Sequence, residues 1–294
     1  MNLPKRVEIV DVAARDGLQN IQTTVPTEQK VELINGLTRA GVKRLEATSF
    51  VHPQWVPQLA DAEQVLKEIE RPEATRFMVL IPNLKGYERA KACGGLTEVA
   101  LVVAASETMN HTNVNMSIAA SLEQFRTIIE RAKADGIGVR GSIGTAFGCP
   151  YEGRVLLEQV LTMTRQLWHL GCDEVMFADT IGCANPLQVY DLFSRVKDQW
   201  PDRPVAAHFH DTRRLALANA LAALQAGVDI YDASVGGLGG CPFTPKGAGN
   251  AATERLVFML HEMGIETGID YSALMEVAHF ARRLSPPAEA ESVC

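Results

Sequence analysis

The sequence contains no Cys-x-x-Cys pair, and its six cysteines, Cys93, Cys149, Cys172, Cys183, Cys241 and Cys294, are scattered along the chain. That excludes a zinc ribbon and a disulfide framework and points to reduced, mostly buried thiols, with Cys294 on an acidic tail the exposed exception. No apolar run approaches the roughly 20 residues of a membrane span, and Met1 to Lys5 carries no apolar leader core. A cytoplasmic protein that meets no membrane is therefore expected. No basic face is evident either, and the formal net charge is -7, which argues against a nucleic-acid partner whose phosphates need neutralising. A glycine-rich dinucleotide fingerprint is also missing: the first strand-to-helix turn reads Arg15-Asp16-Gly17-Leu18-Gln19-Asn20.

What is present is a globular composition, 47% hydrophobic and 21% charged over 294 residues, with ample material for a large core. Short β-rich runs alternate with amphipathic stretches. Eight strands are expected, over Val7–Ala13, Arg44–Phe50, Arg76–Ile81, Glu98–Ala104, Gly138–Thr145, Glu174–Asp179, Val205–His210 and Ile230–Val235. Eight helices are expected between and after them, over Thr27–Ala40, Asp61–Glu70, Leu84–Cys93, Ser117–Asp135, Leu156–Leu170, Pro186–Gln199, Arg213–Ala226 and Asn250–Met263. Gly41, Gly136, Gly171 and Gly227 follow helices and suit the left-handed residue that ends one before a strand. Strict alternation with near-apolar strands means a parallel sheet. Without the dinucleotide signature of an open sheet, eight units point to an α/β fold, a closed (β/α)8 TIM barrel over residues 1–268. Residues 269–294 add a helical C-terminal extension and tail to the same domain.

In such a barrel, polar residues at the carboxyl ends of strands mark the site. The first strand ends in Arg15 and Asp16; Glu46 is a carboxylate inside Leu45–Phe50, a run otherwise fit for burial; His208 and His210, two apart, leave the same face of the seventh. A glycine-rich loop, Gly236 to Gly240, then presents Cys241, and Asn250 opens the last expected helix. One carboxylate, two imidazoles and an amide oxygen from Asp16, His208, His210 and Asn250 suit a divalent metal such as Mg²⁺ or Mn²⁺ better than a four-coordinate zinc site. Blander readings stand beside each: a Glu46–Arg140 ion pair, Asn250 as a helix N-cap, Asp16-Gly17 as a plain turn, Cys241 as a packed small residue.

Seven stretches together, VEIVDVAARDGLQN (7–20), LEATSFV (45–51), IPNLKG (81–86), GCPYEG (148–153), DTIG (179–182), HFHDTRRLALAN (208–219) and GLGGCP (237–242), resemble the 3-hydroxy-3-methylglutaryl-CoA lyase family in order over nearly the whole chain. That family is a (β/α)8 barrel of metal-dependent acyl-CoA lyases and carboligases. The resemblance implies that Asp16, His208, His210 and Asn250 hold the metal, that Arg15 steadies the enolate of acetyl-CoA, that Glu46 lies near the substrate and that Cys241 is a mobile-loop thiol. It implies a retro-aldol cleavage of an acyl-CoA to acetyl-CoA and a 3-oxo acid such as acetoacetate, with the base role shared by Asp16 and His208, a place in leucine catabolism, and a homodimer. Departures fall at Arg213-Arg214-Leu215, at Thr108 to Thr112, at Ser142 to Thr145, and at Phe243 to Gly249 with its added Lys246. From them we expect Lys246 or Arg213 at the substrate's distal carboxylate and a related C3 substituent; Gln19 is also expected near the substrate, and the reverse carboligation and a non-catalytic metal- or acyl-CoA-binding barrel stand as the competing readings.

Overall fold

The computed structural model describes residues 3–239 and 249–285. Eight parallel strands close into a barrel in sequence order: β1 (Glu8–Asp11), β2 (Arg44–Ser49), β3 (Arg76–Leu80), β4 (Glu98–Ala104), β5 (Gly138–Gly144), β6 (Glu174–Asp179), β7 (Val205–Phe209) and β8 (Ile230–Ala233). Closure is made by β1 on β8, with Glu8 opposite Ile230 and Asp11 opposite Ala233. Outside lie α1 (Thr27–Arg39), α2 (Ala62–Glu68), α3 (Leu84–Ala92), α4 (Glu107–Val114), α5 (Ile118–Ala134), α6 (Leu157–Leu170), α7 (Pro186–Gln199), α8 (Ala216–Gln225), α9 (Thr253–Glu262) and α10 (Tyr271–Leu284). The TIM-barrel expectation is met, and the helix-ending glycines 41, 136, 171 and 227 all have positive φ. No described helix is long and apolar enough to cross a membrane.

The main core fills the space between strands and helices, where side chains such as Leu33, Phe177, Phe193 and Val257 are fully buried. The barrel lumen is different. Small apolar groups from β1 and its exit, β3 and β4, namely Val10, Val12, Met78 and Ala100, share it with an ionic chain. Arg44 binds Glu98 at 2.7 Å and Glu174 at 2.8 Å, while Arg140 binds Glu174 and, at 2.7 Å, Asp232. Arg140 is the largest fully buried side chain described. A buried guanidinium persists only when paired and hydrogen-bonded, and here two carboxylates do so.

Several boundaries differ from the sequence reading. The first strand stops at Asp11 because the chain winds into one wide helical turn, Ala13–Gly17. Its Gly17 lies against β8's exit, where an added Cβ would come within 2.7 Å of Ser234 Oγ. The seventh expected helix begins at Ala216, not Arg213: Arg214 has φ +58°, and Asp211 Oδ1 accepts from Ala216 N–H. The last begins at Thr253, not Asn250, because residues 249–252 run extended over the ends of β7 and β8. α4 was not expected; Ser106 caps it and Asn115, at φ +55°, ends it. α10 lays Leu274, Ala278, Ala281 and Leu284 on the barrel, against α1 near Gly36 and the turn at Gly236.

Candidate metal centre at the barrel mouth

The wide turn after β1 lifts Arg15 and Asp16 over the lumen, and β7 delivers two imidazoles to the same place. His208 and His210 share a face, as the spacing requires, with ring centroids 5.2 Å apart. Asp16 Oδ2 lies 3.9 Å from His208 Nε2 and 3.8 Å from His210 Nε2. Donor atoms of all three lie within 4.8 Å of one another. Asn250 joins them through an antiparallel bridge to His210, and its Nδ2 donates to Asp16 Oδ2 at 2.9 Å. It is therefore no N-cap: α9 starts three residues later, after Ala252.

Arg15 ties the carboxylates together. Its Nη1 is 2.6 Å from Asp16 Oδ1, and Nε and Nη2 reach Glu46 Oε2 at 2.7 and 2.6 Å. Glu46 thus pairs with Arg15 and not with Arg140, whose partners are Glu174 and Asp232. Burial opposes the charge of Asp16, but Arg15 and the two histidines outweigh it and hold the carboxyl well below the usual range. Glu46 goes the other way: burial pushes it up more strongly than Arg15 pulls it down. Burial also lowers His210 to about 4, so that ring is neutral and able to coordinate at neutral pH.

The donors fit a divalent cation. Asp16 offers an ionised oxygen, the rings offer nitrogen, and two buried atoms of the cluster, His210 Nδ1 and Asn250 Oδ1, have no hydrogen-bond partner among the described residues. A mixed oxygen and nitrogen set that water can complete suits hard or borderline metals. Rotating the Asn250 amide would turn its orphaned oxygen toward the cluster.

Of the remaining expected residues, Arg213 Nη1 donates to the Gly182 carbonyl at 3.0 Å and braces the β6–α7 loop. Gln19 lines a surface cleft of about 270 Å³ with Gln22, Trp55 and Gln58. Cys241 and Lys246 lie outside the described residues. Sequence reasoning passed over Asp232, although a carboxylate inside Ile-Tyr-Asp-Ala is the same signal that singled out Glu46. It is 4% exposed, and its Oδ2 sits 3.3 Å from His208 Nδ1.

The HMGL-like family model matches residues 6–281. The chain belongs to the HMGL-like family. Among its relatives, the Bos taurus mitochondrial hydroxymethylglutaryl-CoA lyase is 47% identical over 94% of this chain and 85% of its own length. The Danio rerio cytoplasmic 3-hydroxy-3-methylglutaryl-CoA lyase is 48% identical over 95% and 83%. A solved HMG-CoA lyase of Acinetobacter baumannii, in complex with coenzyme A and 3-methylmalate, superposes with a TM-score of 0.90 at 41% identity, over 95% of this chain and 91% of that one.

Proposed function

We propose that this HMGL-like protein is a divalent-metal-dependent carbon–carbon lyase that cleaves 3-hydroxy-3-methylglutaryl-CoA to acetyl-CoA and acetoacetate. The observation that carries the reading is the convergence of Asp16, His208 and His210 at the barrel mouth, with donor atoms within 4.8 Å of one another, in a chain 47 to 48% identical to lyases of that name. The coenzyme A held by the Acinetobacter relative supports an acyl-CoA substrate. Leucine catabolism is the role that goes with this substrate.

Asp16, His208, His210 and Asn250 would hold Mg²⁺ or Mn²⁺, which when bound supplies a Lewis acid for the substrate's hydroxyl and carboxylate oxygens. The resemblance shares the task of accepting the tertiary hydroxyl proton between Asp16 and His208; with the His208 ring engaged at both nitrogens, by Asp232 and the metal set, the task falls to Asp16, kept ionised beside Arg15. The C2–C3 bond then breaks: its electron pair passes to the thioester carbonyl, C3 becomes the ketone of acetoacetate, and the enolate of acetyl-CoA remains. Arg15 donates to that enolate oxygen. Because Glu46 and Asp16 already clamp its guanidinium from two sides, it needs no reorganisation when charge develops. The Cys241 thiol returns a proton to C2. Gln19 flanks the acyl portion, and the engagement of Arg213 with Gly182 favours Lys246 for the distal carboxylate.

A coupled assay of acetyl-CoA release tests this, using metal-stripped protein resupplied with Mg²⁺ or Mn²⁺. The substrates would be the hydroxymethylglutaryl ester, citramalyl-CoA and a longer C3-substituted analogue. Metal-dependent cleavage of the first, reduced at least about 1,000-fold in Asp16→Asn, is expected. Turnover of another ester alone would reassign the substrate, and no release from any of the three would overturn the lyase reading. A cytoplasmic homodimer completes the proposal, dimers being the commonest soluble assembly.

A further inference from the structure

We propose that Asp232 is a positioning residue that sets the tautomer and orientation of His208, and that Arg140 anchors it from across the barrel lumen. The inference rests on the metal-centre reading above and adds a residue that touches neither substrate nor metal.

Three observations carry it. Asp232 and His208 are register partners on adjacent parallel strands, so both side chains enter the lumen from one level. The two oxygens of Asp232 have separate employments: Oδ1 takes the Arg140 Nη1 hydrogen bond at 2.7 Å, and Oδ2 lies 3.3 Å from His208 Nδ1. The opposite ring nitrogen, Nε2, faces Asp16 Oδ2 at 3.9 Å. A carboxylate can only accept, so His208 must carry its proton on Nδ1, which leaves the Nε2 lone pair turned toward Asp16 and the cluster. Carboxylate–imidazole–metal triads work in this way, and loss of the outer carboxylate typically weakens metal binding 10- to 100-fold.

A purely structural role for Asp232, as counterion to Arg140, does not account for the arrangement. Arg140 has a second carboxylate partner in Glu174, which itself also binds Arg44 at 2.8 Å. One Asp232 oxygen suffices for Arg140; the other is aimed at the imidazole. The guanidinium reaches from β5 to β8, so it fixes the carboxylate's rotation and thereby which oxygen faces His208. His210 makes the contrast: its Nδ1 has no hydrogen-bond partner among the described residues, so of the two rings it is His208 whose tautomer a described protein group imposes.

The test uses the full-length, metal-stripped protein and Mn²⁺ binding followed by the EPR signal of the free ion, in wild type, Asp232→Asn, His208→Gln and the double variant. Wild type should bind one Mn²⁺ that Asp16→Asn loses; failure of that control sinks the metal-centre reading itself. Asp232→Asn should bind about 10- to 100-fold more weakly, and the double variant should bind no more than about twofold worse than His208→Gln alone, as expected when one residue acts through the other. Asp232→Asn within twofold of wild type, or losses that multiply, would overturn the positioning role while leaving the centre intact. Should Asp232→Asn fail to fold, the wild type decides: ¹⁵N-histidine spectra at pH 8.5, with His208 assigned by its disappearance in His208→Gln, should show the Nδ1–H tautomer. A dominant Nε2–H form would refute the proposal.

Discussion

Glu46 illustrates what a single buried residue can be asked to do. It is 2% exposed, and its strong partner among the described residues is Arg15, bound through two nitrogens to the same oxygen. Glu46→Gln removes a charge while keeping shape, so Arg15 would be left buried with only Asp16 to balance it. Breaking one side of such a pair costs about 3 kcal/mol, which urea unfolding would register. Arg15 would also swing further onto Asp16, and the cleavage rate should fall by 10-fold or more; an unchanged rate would show that Arg15 holds its place without Glu46. The residues at this scale were legible because each broke a local rule: a carboxylate in a strand otherwise fit for burial, or two imidazoles on one strand face. Asp232 breaks the same rule, but its role depends on the Arg140 and His208 side chains it meets across the lumen, which no local pattern shows.

The element that decides the centre is the short extended run at residues 249–252. Asp211 N–H donates to the Gly249 carbonyl and Ala251 N–H to that of Phe209, both at 2.9 Å, which lays the run beside the end of β7 and brings Asn250 to His210. The approach requires glycine at 249, where an added Cβ would come within 2.2 Å of the Gly237 carbonyl oxygen and 2.6 Å of that of Gly239. Gly249→Ala should therefore push Asn250 away from Asp16 and weaken Mn²⁺ binding at least tenfold, while the far-ultraviolet circular dichroism of the barrel stays unchanged. Retained affinity would show that Asn250 is dispensable. Helical periodicity misread this run because Asn followed by an amphipathic stretch is a good N-cap pattern. α4 escaped for the opposite reason: Glu107–Val114 is polar on most faces, so only the Ser106 cap signals it.

At the scale of the whole molecule, the pH response divides buried carboxylates into two groups. Burial opposes the charge of Asp16, Glu174 and Asp232, but neighbouring cations prevail and hold all three below their ordinary values. Their stability contribution is present above an unfolded pKa near 4 and is lost as pH falls. Asp11 is the reverse. Burial raises it to about 7, although Ala13 and Val235 N–H and the Thr253 hydroxyl donate to it. A raised folded pKa means that its contribution is complete below about pH 4 and is lost as pH climbs through 7. Measured against Asp11→Asn, wild-type unfolding free energy should decline between pH 5 and 8 by on the order of 3 kcal/mol. A parallel pair of pH profiles would show that the Asp11 proton is not coupled to folding.

The linear sequence by itself determined the alternation of strands and helices, the closure into eight units, and the imidazole pair, because those depend on periodicity and on glycine at helix ends, both local properties. It also carried the family, through motifs spread over nearly the whole chain. Only the tertiary structure decided who pairs with whom. Glu46 and Arg140 enter one lumen, yet Arg15 takes the first and Glu174 and Asp232 take the second, since reach across a closed barrel depends on strand stagger that no local pattern encodes. Asn250 stands 234 residues from Asp16 yet donates to it. Loop closure over such a span is set by the packing of β7, β8 and the segment laid over their ends, and by nothing within hydrogen-bonding range along the chain.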